Sequence, residues 1–234
     1  GHFSGRLTAP IVFAGSVCRQ ILEKKGIKIA SHIQSVGKVC DSRFNPLKID
    51  EDLIDSLNKQ SFPVIDPSSE PKMREYIENA RMSQDSTGGV IECAATGVPA
   101  GIGSPMFGGV ENLISSIMFG IPAVKGIEFG AGFAITEMLG SQANDQYAYD
   151  ENGRVVTLSN NNGGITGGIT NGMPILFRIA VKPTPSISKP QQTVDLTKHE
   201  NTELVIHGRH DPCIVPRATV VAESALAIAL INLL

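Results

Sequence analysis

Two short stretches near the ends of the sequence each set a cation, a proton carrier and glycine within a few residues. They are Gly1-His2-Phe3-Ser4-Gly5-Arg6-Leu7-Thr8 and Gly208-Arg209-His210-Asp211-Pro212-Cys213. Arg6 and Arg209 can clamp a phosphate or a carboxylate, and Ser4 with the Gly5 amide can complete the seat. His210 and Asp211 can work as an acid/base pair, because imidazole titrates near neutrality and a carboxylate can orient it or relay its proton. A third stretch, 160–170, holds Gly163, Gly164, Gly167 and Gly168, which open main-chain N–H groups to a ligand. In a fourth, Lys182-Pro183-Thr184-Pro185-Ser186, a cation and two hydroxyls share a segment stiffened by proline. The chemistry common to all four is the holding of a small anionic ligand beside a proton-transfer group. Each has a plainer reading as well: a capped helix start, an ion-paired turn, an ordinary flexible loop and a turn that ends a strand; against the flexible loop, Ile165 and Ile169 call for burial and so for order.

These residues need elements to position them. Thr8-Ala9-Pro10 opens a helix in which Ile11, Ala14, Val17, Cys18, Ile21 and Leu22 recur at three-to-four spacing until Gly26, so Arg6 stands just ahead of a helix N-terminus. Alternation predicts a strand over 27–36, and further strands are expected at 90–95, 123–129, 173–181 and 204–207. Helices are expected over 50–57, 70–84 and 108–119, the first two joined by a Pro- and Ser-containing loop. Two candidate anion loops then fall at strand ends, 182–186 after 173–181 and 208–211 after 204–207. The polar stretch 186–201 reads as a hairpin excursion. The apolar run 218–234 is interrupted by Glu223 and falls short of the roughly 20 residues of a membrane span, so it reads as a buried terminal helix.

A chain of 234 residues, 41% hydrophobic and 18% charged, can bury a substantial core. Its net charge of −3 provides no global positive field for nucleic acid. Cys18, Cys40, Cys93 and Cys213 form no Cys-x-x-Cys pair, which argues for buried thiols in a reducing compartment and against a zinc site. Stretch 160–170 lacks the spacing of a dinucleotide fingerprint or a P-loop, and no Gly-x-Ser-x-Gly elbow occurs. His32, His199 and His207 have no carboxylate at ligand spacing and receive no role.

Residues 1–9 with Val12, Ala14 and Gly15 resemble the second signature of chorismate synthases, and Arg209-His210-Asp211-Pro212-Cys213 resembles the third. Between them 107–109, 123–130, 140–145, 162–169 and 182–187 follow the same family in order. The resemblance implies one α+β domain over 1–234, a β-α-β sandwich with helices packed between antiparallel sheets, in a cytoplasmic homotetramer without nucleic-acid or membrane partners. It implies the last common step of the shikimate pathway, in which 5-enolpyruvylshikimate 3-phosphate loses phosphate and a ring proton by anti-1,4 elimination to give chorismate. Reduced FMN is required there without net oxidation, with NADPH as a possible reductant.

By the same resemblance, His2, Phe3 and Ser4 contact the flavin, while Ser4, Gly5 and Arg6 face the substrate. Pro122, Ala123, Gly167, Lys182, Pro183, Thr184, Pro185 and Ser186 hold the flavin. Arg209 touches flavin and substrate, and Asp211 touches the substrate in a catalytic proton relay with flavin N5. The sequence departs from many members at His2-Phe3, where they have Arg-Ser, and at Pro122, where they have Asn. Family members also carry a further N-terminal segment, roughly half as long as this chain, with Gly-Glu-Ser-His and Arg-Pro-x-His motifs supplying two catalytic histidines. Neither motif occurs in this sequence. The expectation is a chain truncated at its N-terminus relative to the family and impaired or inactive alone. The alternative is a noncatalytic flavin- or phosphate-binding module with an assembly role.

Overall fold

A computed structural model describes residues 2, 4–208 and 210–234. Helices are α1 (Ala9–Glu23), α2 (Glu51–Leu57), α3 (Ser69–Met82), α4 (Val110–Phe119), α5 (Gly140–Ala143) and α6 (Val215–Leu233). Strands are β1 (Lys28–Val36), β2 (Val39–Cys40), β3 (Gly89–Thr96), β4 (Val124–Phe129), β5 (Tyr147–Tyr149), β6 (Val155–Thr157), β7 (Ile165–Thr166), β8 (Ile169–Thr170), β9 (Ile175–Val181), β10 (Gln191–Asp195) and β11 (Glu200–Leu204). Five of them form one antiparallel sheet in the order β2-β1-β3-β9-β4.

Strand alternation sends two residue sets to opposite faces of this sheet. Ile29, Ile33, Ile91, Cys93, Ile175, Phe177 and Ile179 join the main core, with residues of α1, α4 and α6. Ala30, Ala94 and Leu176 on the other face meet Phe44, Ile49 and the α2 residues Ile54 and Leu57. The helices expected from the sequence match to within three residues, with proline in the first turn of α1 and of α6. The terminal apolar run is a helix whose Ala222, Ala225, Leu226, Ala229 and Leu230 are buried. The strand expected at 204–207 is not formed. Glu200–Leu204 pairs outward with Gln191–Asp195 instead, because Asp195 Oδ1 accepts the Thr197 and Lys198 N–H groups and closes a turn there, leaving 205–207 irregular.

Contact between α1 and α6 is backbone-close: a Cβ on Gly15 would overlap Cα and Cβ of Ser224. Alongside, the Glu223 carboxylate accepts Arg19 Nη1 at 2.8 Å and both the N–H and hydroxyl of Ser31 at 2.9 Å, while Arg19 Nη2 donates to the Ile29 carbonyl at 2.9 Å. Burial pushes the Glu223 carboxyl above its usual range against the pull of Arg19 and Ser31.

The opposite face carries charge. In lateral register lie His32, Glu92, Arg178 and Glu128, one from each of β1, β3, β9 and β4. His32 Nδ1 lies 3.0 Å from Asp41 Oδ2 and Nε2 lies 2.9 Å from Glu92 Oε2, so partners 9 and 60 residues away correct the reading of this histidine as unpaired. The same two oxygens accept the N–H groups of Ile65 and Phe44. Carboxylates thus face both ring nitrogens, an arrangement that favours a ring donating from both. Burial opposes the charge of such a ring, but the two carboxylates outweigh it and raise the His32 pKa. Asp41 is also buried, yet bonds from His32, Ile65 and Asp66 hold its carboxyl below the usual value. At the far end of the row, Arg178 Nη2 meets Glu128 Oε1 at 2.7 Å.

Gly15→Ala should destabilise the fold by about 1–3 kcal/mol through overpacking, lowering the melting temperature by about 2–4 °C per kcal/mol; an unchanged melting temperature would refute backbone contact there. The folded pKa of His32 is raised, so its contribution to stability is complete below pH 6.5 and is lost as pH rises through the folded value. Denaturant titrations from pH 6 upward should show that decline, and His32→Gln should remove it; a flat wild-type profile over this range would contradict a buried imidazolium.

Candidate functional site

One end of the sheet collects most of the candidate residues. Val181, the last residue of β9, pairs with Val124 at the start of β4 and with Gly89 at the start of β3. Pro122-Ala123 and Lys182-Pro183-Thr184-Pro185-Ser186 are therefore neighbours, joined by the Lys182 N–H donating to the Ala123 carbonyl at 2.9 Å. Just before β3, Ser86 Oγ donates to the Thr184 carbonyl at 2.6 Å, and the Thr87 N–H donates to the Pro212 carbonyl at 2.8 Å. Asp211 enters the same region by that second bond. Arg19 of α1 and Glu223 of α6 both reach the beginning of β1, so the two helices run away from this end and present their N-terminal approaches, 4–6 and 210–213, toward it.

Local chemistry is specific at several positions. Ala123 has φ +76°, a conformation that costs a residue with a Cβ about 1–3 kcal/mol. Lys182 is exposed, and its ammonium has no carboxylate partner among the described residues. Thr184 Oγ1 is buried and has no hydrogen-bond partner among the described residues. Pro183 and Pro185 are exposed, while Pro122 and Ser186 are half-buried. Ser4 Oγ accepts the Arg6 N–H at 3.2 Å, capping a turn that leads into α1, and His2, Gly5 and Arg6 are exposed. Phe3 and Arg209 lie outside the described residues.

Asp211 meets Arg217 Nη2 at 2.8 Å and the Cys213 N–H at 3.4 Å, so it also ties down the start of α6. The sequence reading of His210 and Asp211 as a mutual pair is not realised, because His210 Nε2 faces the Ile206 carbonyl at 3.0 Å. Burial pushes the Cys213 thiol up to about 11, which keeps it protonated and unreactive at neutral pH.

Gly167 lies elsewhere. Leu176 N–H donates to the Gly163 carbonyl and Val110 N–H to the Gly168 carbonyl, which places the glycine stretch at the start of β9 and the N-terminus of α4. The seven-residue β9 separates it from Lys182 by about 20 Å. Gly167 and Gly168, at φ +63° and +85°, form the two-residue tip of the β7–β8 hairpin, which needs positive φ at both positions. The stretch is ordered, as buried Ile165 demands, and its anchor is Asp145, which spacing did not single out. That carboxylate accepts Ser159 Oγ, the N–H groups of Asn161 and Asn162, and Asn162 Nδ2, at 2.6 to 2.9 Å. Asn160 adds bonds to Pro46, Pro174 and the Gly164 N–H.

Comparison with known proteins bears on all these positions together. The sequence profile described as chorismate synthase matches residues 1–234. A chorismate synthase of Lancefieldella parvula is 44% identical over 244 aligned positions, covering 100% of this chain and 64% of that protein. Those of Thermococcus gammatolerans and Pyrococcus abyssi are 46% and 48% identical, each covering 98% of this chain and 62% of the relative. A solved chorismate synthase structure superposes with TM-score 0.80 at 31% identity, over 98% of this chain and 63% of that one. This chain thus spans under two thirds of the length of these relatives. Matched from its first residue to its last, and sharing the fold of a solved member, it belongs to the chorismate synthase family.

Proposed function

We propose that this chain provides the flavin-holding and much of the substrate-holding part of an enzyme that eliminates phosphate from 5-enolpyruvylshikimate 3-phosphate to give chorismate. The observation that carries the reading is the meeting at one sheet end of strained Ala123, of Lys182, bonded to it through the main chain, and of Thr184, whose buried hydroxyl has no partner among the described residues. These are positions that the family resemblance assigns to FMN, and their chemistry fits its phosphate-bearing tail. Lys182 would neutralise the phosphate, Thr184 would donate its hydroxyl, and the prolines on either side would keep the turn preorganised. Reduced FMN, when bound, supplies a transiently donated electron and a proton acceptor for an otherwise redox-neutral elimination.

The chain's own groups have distinct tasks in this scheme. Arg6, exposed ahead of α1, would engage an anionic group of the substrate, helped by Ser4 and Gly5. Asp211 would hold the proton that is relayed, its carboxylate oriented by Arg217. Arg209 would bridge flavin and substrate. Gly167, about one strand length from Lys182, would meet a different part of the ligand or one bound by a neighbouring copy in a homotetramer. A cytoplasmic setting with NADPH as the reductant completes the reading, and neither nucleic acid nor membrane is called for.

The chain mixed anaerobically with chemically reduced FMN and 5-enolpyruvylshikimate 3-phosphate should form no chorismate, followed by ultraviolet absorbance. Adding the N-terminal segment of a relative, with its two histidines, should start turnover. Turnover by the chain alone would show that its own residues complete the site; none after addition would overturn the assignment. In the complemented enzyme, Asp211→Asn should lower kcat by about 100-fold or more while FMN affinity stays near wild type. Near-normal turnover in that variant would remove Asp211 from the proton relay.

A further inference from the structure

The three residues ahead of Gly88 touch both loops of the proposed site. Asp85 Oδ2 pairs with Lys189 Nζ at 2.7 Å, Ser86 Oγ donates to the Thr184 carbonyl at 2.6 Å, and the Thr87 N–H donates to the Pro212 carbonyl at 2.8 Å. Gly88 lets this segment press against the end of β9 and Pro183, since a Cβ there would overlap the Val181 carbonyl and crowd the proline ring. The 182–189 loop and the 211–213 segment thus share one support. Asp85 Oδ2, Ser86 Oγ and the Thr87 N–H are each engaged with those loops.

We propose that Ser86 is a positioning residue for the ligand site, acting through Thr184; this rests on the flavin reading of the 182–186 loop. The bond falls on the carbonyl of the very residue whose buried hydroxyl has no partner among the described residues. Proline on each side restricts the turn to few conformations, so one bond at its centre suffices to select the conformation in which Thr184 Oγ1 stays unsatisfied. Leaving a buried hydroxyl unpaired is unfavourable unless a ligand answers it. Ser86 keeps the loop in that ligand-ready state, and the Asp85–Lys189 and Thr87–Pro212 contacts hold its far end and the Asp211 segment in fixed relation to it.

FMN titration of the full chain by flavin fluorescence, on wild type, Ser86→Ala, Ser86→Thr and the control Ser83→Ala, tests this, with thermal unfolding measured on each. Ser86→Ala should raise the FMN dissociation constant about tenfold, the loss of one well-formed hydrogen bond. Its melting temperature should stay close to wild type, Ser86→Thr should recover affinity because its hydroxyl can make the same bond, and Ser83→Ala should bind normally. If wild type binds FMN and Ser86→Ala binds it equally, the role of Ser86 is overturned while the flavin reading stands. If Ser86→Thr is as weak as Ser86→Ala, the hydroxyl is not the acting group and the role falls as well. Wild type that does not bind FMN overturns the flavin reading and this inference with it.

Discussion

The arrangement of the site depends on a buried carboxylate far from it. Glu223 of α6 joins Arg19 of α1 to the Ser31 amide and hydroxyl on β1, so a single side chain sets where both helices cross the sheet. Removing Arg19 would leave the buried Glu223 carboxylate without its charged partner, a larger penalty than losing an exposed ion pair. Gly15 supplies the matching steric condition, since only its missing Cβ lets α1 approach Ser224. The direction of the two helices follows from these contacts, and with it the approach of 4–6 and 210–213 to one sheet end.

The other face uses charge in a different way. Acid and base alternate from Asp41 through His32, Glu92 and Arg178 to Glu128, and the acidic groups reach out to main-chain N–H donors in loops. Asp41 receives Ile65 and Asp66, Glu92 receives Phe44, and Glu128 receives Phe133. A row of charges inside the sheet therefore fastens main-chain N–H groups outside it, alongside apolar anchors such as Phe44 and Ile49. The two faces divide the labour: apolar burial and one ion pair for the helices, a polar lattice for the loops.

Local rules were enough for much of this. The proline at the start of α1, the spacing of Ile11 to Leu22 and the apolar runs of β9 and α6 each state their element without help from the fold. Ile165 announced an ordered glycine stretch. What stayed hidden depends on distance along the chain: His32 and Glu92 lie 60 residues apart, Arg19 and Glu223 lie 204 apart, and Ser86 meets Thr184 across 98. Asp85-Ser86-Thr87 reads locally as the frayed end of a helix. Leu204 to His207 looked like a strand because it opens with three apolar residues, yet pairing is decided by the turn at Asp195 and not by that run. Family motifs supplied the rest of the site, marking Ala123 and Lys182 with no knowledge of the bond between them.

The β10–β11 hairpin closes its own hydrogen bonds in five successive residue pairs, and all of β11 is exposed. Its turn at Thr197 and Lys198 asks nothing of the sheet and nothing of the ligand loops. An exposed turn held by its own hairpin tolerates insertion well. A reporter fluorophore or an affinity handle placed at that turn would move with the molecule and leave its chemistry alone, which makes the hairpin the natural point for immobilising the chain on a surface.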